Sequence, residues 1–279
     1  MKEPSLEMRA LFEAGQQYEE KADYYHAIKL YKRIIKQATY WPEPYLRLGV
    51  IYRKRKEWKP ALYYNKKAIA LAVDNKEAWW NVGIAATALN KTRLAKRVWQ
   101  KFGLSNTTPH PISVKIAYQD QFEVLGAQRV DAARAVIQSI PHPKSGRKFQ
   151  DILLIDSAIK GYHISGYQKL PIYDELDLLK RSTYSTFSCL LDDIVPKDID
   201  VLQQLCINAR LGFEVWGNAS RSFSTSKHSG ILPEYYSSPI GPQKEILIAI
   251  AAKQKGHALE VLESWTIISL KSYHNFQVH

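Results

Sequence analysis

The sequence predicts an α+β protein: an all-α helical array first, a small β-rich module second and an α+β sandwich last. Three observations carry this. Through residues 5–104, small and apolar residues recur at a fixed 34-residue offset, the mark of stacked helical repeats. Pro109 and Pro111 then end the helical periodicity, and short β-branched runs between polar turns replace it. After Tyr184, strand-like and helix-like segments alternate in two similar halves. At 279 residues and 46% hydrophobic, the chain has material for two or three packed cores.

The repeat is read column by column. Gly15, Gly49 and Gly83 share the 34-residue offset, as do Ala27, Ala61 and Ala95. Leu11, Tyr45 and Trp79 form another column. Tyr18 and Tyr52 form a fourth with Ala86. Tyr31 and Trp99 match as large aromatics across Asn65, whose neighbour Tyr64 is expected to stand in for it. Gly and Ala remove side-chain bulk where two antiparallel helices must approach closely. One such pair cannot bury its apolar face alone, so three stack. "PYLRLGVIY" and "EAWWNVG" resemble the tetratricopeptide repeat (TPR), which implies a helical solenoid over residues 1–104 and a protein-binding scaffold. The subclass that grips acidic chaperone tails uses Lys and Asn on its first helices. The corresponding residues here are Phe12, Gln16, Arg47, Glu77 and Asn81, and Glu77 would repel a carboxylate. Chaperone-tail capture is therefore not expected.

Residues 105–181 are read as the small antiparallel β module, from "ISVKIAY", "QFEVLGAQRV", "ARAVIQSI" and "DILLIDSAI". "PHPKSGRKFQDILLID" and "KGYHISGYQKLPIYDELDLL" resemble β modules appended to TPR arrays in bacterial proteins, some of which accompany toxins as immunity factors. Residues 182–279 follow the order strand ("YSTFSCLL"), helix ("KDIDVLQQLCINARLG"), strand ("FEVWG"), then "KEILIAIAA", "GHALEVLESW" and "TIISLKSYH". Two β-α-β halves predict a ferredoxin-like sandwich. Asp198 is the expected N-cap and Gly212 the expected C-cap of its first helix. The same topology serves RNA-recognition domains, which stack bases on strand aromatics; "KEILIAIAA" has none. Residues 218–243 are rich in Ser, Gly and Pro and predict a long loop in which Tyr235 and Tyr236 are partner anchors.

Charge narrows the function. The net charge is +12, and residues 1–103 hold 21 Lys and Arg against 10 Asp and Glu. The rest of the chain holds 18 against 17. Steering acts where charge is concentrated, so an acidic protein partner is expected on the array, with nucleic acid as the alternative. "IYRKRKEWKPALYY" packs Arg53, Lys54, Arg55 and Lys56 beside Trp58, which reads as core. Four consecutive cations repel unless something acidic offsets them, and the cluster reads as a dock. The columns Lys29/Tyr63/Arg97, Lys32/Lys66/Gln100 and Arg33/Lys67/Lys101 predict a ridge on the second helices, read as a solvated face. The candidate partner-binding residues are Arg47, Arg53, Lys54, Arg55, Lys56, Trp80, Tyr235 and Tyr236.

No catalytic, cofactor or metal constellation is found: there is no nucleophile elbow, phosphate-cradling glycine loop or metal-spaced Cys pair. His110 and His142 lie in Pro-His-Pro triplets, which read as extended linkers. Cys189 and Cys206 read as buried thiols of a cytoplasmic protein. "MKEPSLEMRALFEAG" does not read as a secretory signal, and no apolar run is long enough to span a membrane.

Overall fold

The computed structural model describes residues 3–104, 108–119, 121–165, 168–216, 222–224, 235–236 and 243–279. The chain divides into two compact units, Met1–Asn106 and Thr107–His279. The fold class read from the sequence holds.

The first unit contains six helices: α1 (Leu6–Glu20), α2 (Tyr24–Gln37), α3 (Pro42–Lys54), α4 (Trp58–Leu71), α5 (Lys76–Ala88) and α6 (Thr92–Lys101). Ser5, Asp23 and Asn75 cap α1, α2 and α5 by accepting from the backbone N–H of Met8, His26 and Ala78, which satisfies donors that the first turn leaves orphaned. Asn75 thus makes the turn where the repeat lacks a proline. Pro60 sits in the first turn of α4, where a missing N–H costs no helical bond.

The 34-residue register extends to the turns. Ala22, Lys56 and Asn90 all take left-handed backbone, at φ 58°, 59° and 54°. In each turn the next residue's N–H closes on the same carbonyl: Asp23 on Tyr18, Glu57 on Tyr52 and Lys91 on Ala86, all at 2.8 Å. This is the long bond of a Schellman-type stop, achieved without glycine.

The glycine column is a contact column. A Cβ at Gly15 would lie 2.6 Å from the Tyr31 ring, and Cβ atoms at Gly49 and Gly83 would press into Asn65 and Trp99. Asn65 itself therefore fills the notch of the second repeat, where its Nδ2 donates to the Ala61 carbonyl at 2.8 Å. Tyr64 does not stand in for it; that ring stacks on Tyr52 at 5.5 Å, because it lies one helical position, about 100°, away from the notch. Trp58 is half-buried rather than core, since the first residue of a helix has only one turn to pack against.

In the second unit, β1 (His110–Tyr118), β2 (Gln121–Arg129), β3 (Arg134–Ile137), β4 (Ile152–Ser165) and β5 (Gln168–Lys180) pair antiparallel in sequence. The module is not wholly antiparallel, because β5 returns to pair parallel with β1. Five strands that alternate in direction can close on themselves only through one parallel seam. The closed barrel holds Ile112, Val114, Leu125, Ile137, Leu153 and Ile155 in its interior.

The second sheet contains β6 (Ser185–Ile194), β7 (Gly212–Val215), β10 (Gln243–Ala252) and β11 (Tyr273–Val278), ordered β11-β6-β10-β7 with every pair antiparallel. With α7 (Pro196–Asn208) after β6 and α8 (Lys255–Ser269) after β10, this is the ferredoxin-like order. Leu191, Ile248, Leu202, Cys206, Leu262 and Trp265 meet between sheet and helices. Asp198 is not the N-cap of α7; it lies one turn in and reaches back to the Val195 N–H at 3.0 Å. Gly212 is not the C-cap either. Arg210 takes the left-handed position, and Gly212 opens β7, where Ala251 and Phe149 crowd its missing Cβ.

Of the expected loop 218–243, the short strands β8 (Ser222–Ser224) and β9 (Tyr235–Tyr236) pair with β2 and β4. The rest of that segment lies outside the described residues.

Candidate functional site

The 53–56 cluster occupies the end of α3 and the turn after it, where basic side chains face the negative pole of the helix. Much of its charge is already met within the array. Lys54 lies 3.5 Å from Glu19 and Arg55 lies 2.6 Å from Glu57. Lys56 is the left-handed turn residue. Arg47 is drawn in more deeply: its Nε donates to Glu19 Oε2 at 2.9 Å and its Nη2 donates to Oε1. The Glu19 side chain is 3% exposed, and the Tyr31 hydroxyl also donates to it at 3.4 Å. Glu19 comes from α1 and Arg47 from α3, so this ion pair ties the first repeat to the second. Burial, with Glu19 beside it, pushes the Tyr31 pKa up to about 12. Trp80 packs edge-on against Trp99 and Phe102 of its own repeat, at 5.0 and 5.1 Å. Tyr235 and Tyr236 are placed only as strand residues of β9, beside His163 and Ile164 of β4.

The second helices are different. α2, α4 and α6 carry eleven Lys and Arg residues and no Asp or Glu, and all eleven cations are exposed. The sequence reading recovered the columns but not the partition by helix: α1 alone holds four glutamates. Among the described residues, Arg33 is the only one of the eleven in an ion pair, with Glu7 at 3.4 Å. Lys32, Lys67 and Lys101 lean over the rings of Tyr52, Tyr63 and Trp79. A hydrogen bond with the Tyr52 hydroxyl pushes the Lys32 pKa up.

Two clefts open on this basic side. One, of about 590 Å³, has Tyr18 and Leu30 for its apolar part and Lys29, Lys32, Arg33 and Lys36 around them. The other, of about 610 Å³, sets Lys66, Lys91 and Arg93 beside Leu62 and Leu94.

Elsewhere, burial pushes the Cys189 and Cys206 thiols up to about 12. Thiols so far above neutral pH are poor nucleophiles. Asp192, Glu245 and His274 gather on neighbouring strands of the second sheet. His274 turns Nδ1 to Asp192 at 3.1 Å and Nε2 towards Glu245 at 3.8 Å. One ligand atom from each of the three lies within 4.8 Å of the others, and the contacts within the trio are charge pairs only when His274 is protonated. The Ser272 hydroxyl, donating at 2.8 Å, is the main reason the Asp192 carboxyl titrates below its ordinary value. Among the described residues, no helix is long and apolar enough to cross a membrane.

No family model and no curated protein sequence matches this chain. Among solved structures, the first TPR domain of Spaghetti (RPAP3), bound to an HSP90 peptide, is 26% identical over 35% of this chain and 78% of that one, with a TM-score of 0.34. The Sgt2 TPR domain from Aspergillus fumigatus is 20% identical over 38% of this chain and 72% of that one, with a TM-score of 0.33. A hypothetical protein from Neisseria gonorrhoeae is 14% identical over 61% of this chain and 94% of that one, with a TM-score of 0.26. With a common glycine notch, turn geometry and 34-residue period, α1–α6 are three helix-turn-helix repeats.

Proposed function

We propose that this protein is a non-enzymatic interaction protein whose repeat array captures an acidic protein partner on its basic surface. One observation supports this above the rest: eleven exposed cations on three consecutive second helices with no acid among them. A solenoid repeats its surface at fixed pitch, so the charges sum along one face instead of scattering. In a narrower form of the reading, the chain is a bacterial immunity protein that occludes the active surface of a toxin. Co-expression with a toxin encoded beside it tests that form, with cell growth as the readout.

The exposed tyrosines Tyr25 and Tyr63, at 70% and 55%, favour a second reading in which nucleic-acid bases stack between cations. A salt titration separates the two. Polyglutamate binding is expected with a moderate salt dependence. A single-stranded oligonucleotide that bound more tightly, with a log–log slope of about −0.7 per phosphate contacted, would replace the protein partner with nucleic acid.

A further inference from the structure

Cation-rimmed clefts with apolar floors select for more than charge. Resting on the partner-capture reading, we propose that the docking element is an acidic peptide segment with interspersed apolar side chains. It lies across the clefts at Tyr18/Leu30, between α1 and α2, and Leu62/Leu94, between α4 and α6, and not on the 53–56 cluster.

Three observations lead here. The first is which charges are free to act. Lys54 and Arg55 face Glu19 and Glu57 inside the array, whereas Lys29, Lys36, Lys66 and Arg93 have no ion-pair partner among the described residues. A cation already facing a carboxylate gains little from a second one, and an unpaired cation gains the full interaction. Among the described residues, the acid in ion-pair range of the ridge is Glu7, which holds Arg33 at 3.4 Å with both side chains more than half exposed, so a partner carboxylate can displace it at little cost.

The second observation is the floor. Tyr18 and Leu30 in one cleft, and Leu94 with the edge of the buried Leu62 in the other, offer apolar surface inside the ring of charge. An isolated phosphate or carboxylate leaves that surface wet. A Leu-sized side chain buries it and contributes in proportion to the area covered. The surrounding ammonium groups keep their long stems along the apolar wall and their heads in water. A peptide carrying carboxylates on either side of an apolar residue meets both parts at once.

The third is continuity. Lys32 rims the first cleft and Lys66 the second, and the two occupy the same position in successive repeats. These positions lie on α2 and α4, each of which packs on α3. A segment long enough to bridge them engages both clefts, and binding to the first raises the effective concentration at the second.

The test uses the full chain and fluorescence anisotropy with three labelled probes. These are a peptide mixing glutamate with leucine, a peptide of equal length and charge with glycine for leucine, and a single-stranded oligonucleotide. The variants are Lys29→Glu/Lys36→Glu, Lys66→Glu/Arg93→Glu and, as a comparison, Arg53→Glu/Arg55→Glu, each checked for wild-type helicity by circular dichroism. The leucine peptide is expected to bind about tenfold more tightly than the glycine peptide. Each cleft variant is expected to weaken it about tenfold or more, and the 53/55 variant less than about threefold. Equal affinity for the two peptides overturns the apolar part of the proposal. Loss confined to the 53/55 variant overturns the location but leaves acidic-partner capture standing. Tighter binding of the oligonucleotide overturns both.

Discussion

Arg47 and Glu19 show how one side chain decides between surface and scaffold. Glu19 is a carboxylate almost out of water, and Arg47 meets it with two parallel N–H donors, the geometry that best offsets the desolvation of both charges. Arg47→Ala is expected to destabilise the array by roughly 3–5 kcal/mol, because it leaves a buried carboxylate with only Lys54 and Tyr31 near it. The paired replacement Glu19→Leu/Arg47→Met is expected to cost much less, since it removes both buried charges together. Urea unfolding of the three proteins checks this; equal loss in the single and paired variants would mean that packing, not charge, governs the site. The sequence offered Arg47 as a partner-binding cation on a first helix, since its residue type and spacing were legible. Its partner came from 28 residues earlier, a pairing that spacing along one helix does not reveal.

At the level of elements, the repeated turn is the unit that sets the array's pitch. Its left-handed residue is Ala22, Lys56 or Asn90, none of them the glycine that such a position favours. Ala22→Gly is therefore expected to raise stability by about 1 kcal/mol, the strain of an L side chain in that region. Asn90→Gly should be closer to neutral, because asparagine tolerates left-handed backbone. Thermal melts of the two variants make the comparison; a destabilised Ala22→Gly would show that the alanine methyl packs more than it strains. The turns escaped the sequence reading for a simple reason. Without Gly or Pro they carry no local punctuation, and only the helices on either side fix their conformation. The caps of α7 were misplaced by the same mechanism: the residue types were right, but a helix beginning at Pro196 shifts Asp198 one turn inward.

Over the whole molecule, charge is segregated rather than balanced. Nearly all of the excess sits on the repeat unit, and within it on the second helices, where like charges in successive repeats face the same water. Their mutual repulsion is felt across a Debye length that shrinks from about 30 Å at 0.01 M salt to about 8 Å at 0.15 M. The melting temperature of the chain is therefore expected to rise over that salt range. Lys66→Glu/Arg93→Glu should melt higher than the native chain at low salt and respond less to added salt. Differential scanning calorimetry checks this; a native melting temperature that fell with salt would mean that ion pairs such as Arg33–Glu7 outweigh the repulsion.

What the sequence determined by itself was whatever is periodic or local. The 34-residue register, the glycine notches at Gly15, Gly49 and Gly83, and the strand–helix order of the sandwich all follow from side-chain size and spacing along the chain. The basic columns were legible too, because charge type is written in each residue. Only the tertiary structure decided which cations were answered. It paired Lys54 and Arg47 with Glu19, placed Asn65 in the aromatic notch and closed the barrel through a parallel seam between β1 and β5. Each of these joins residues distant in sequence, and electrostatics and packing act through space, where distance along the chain does not enter.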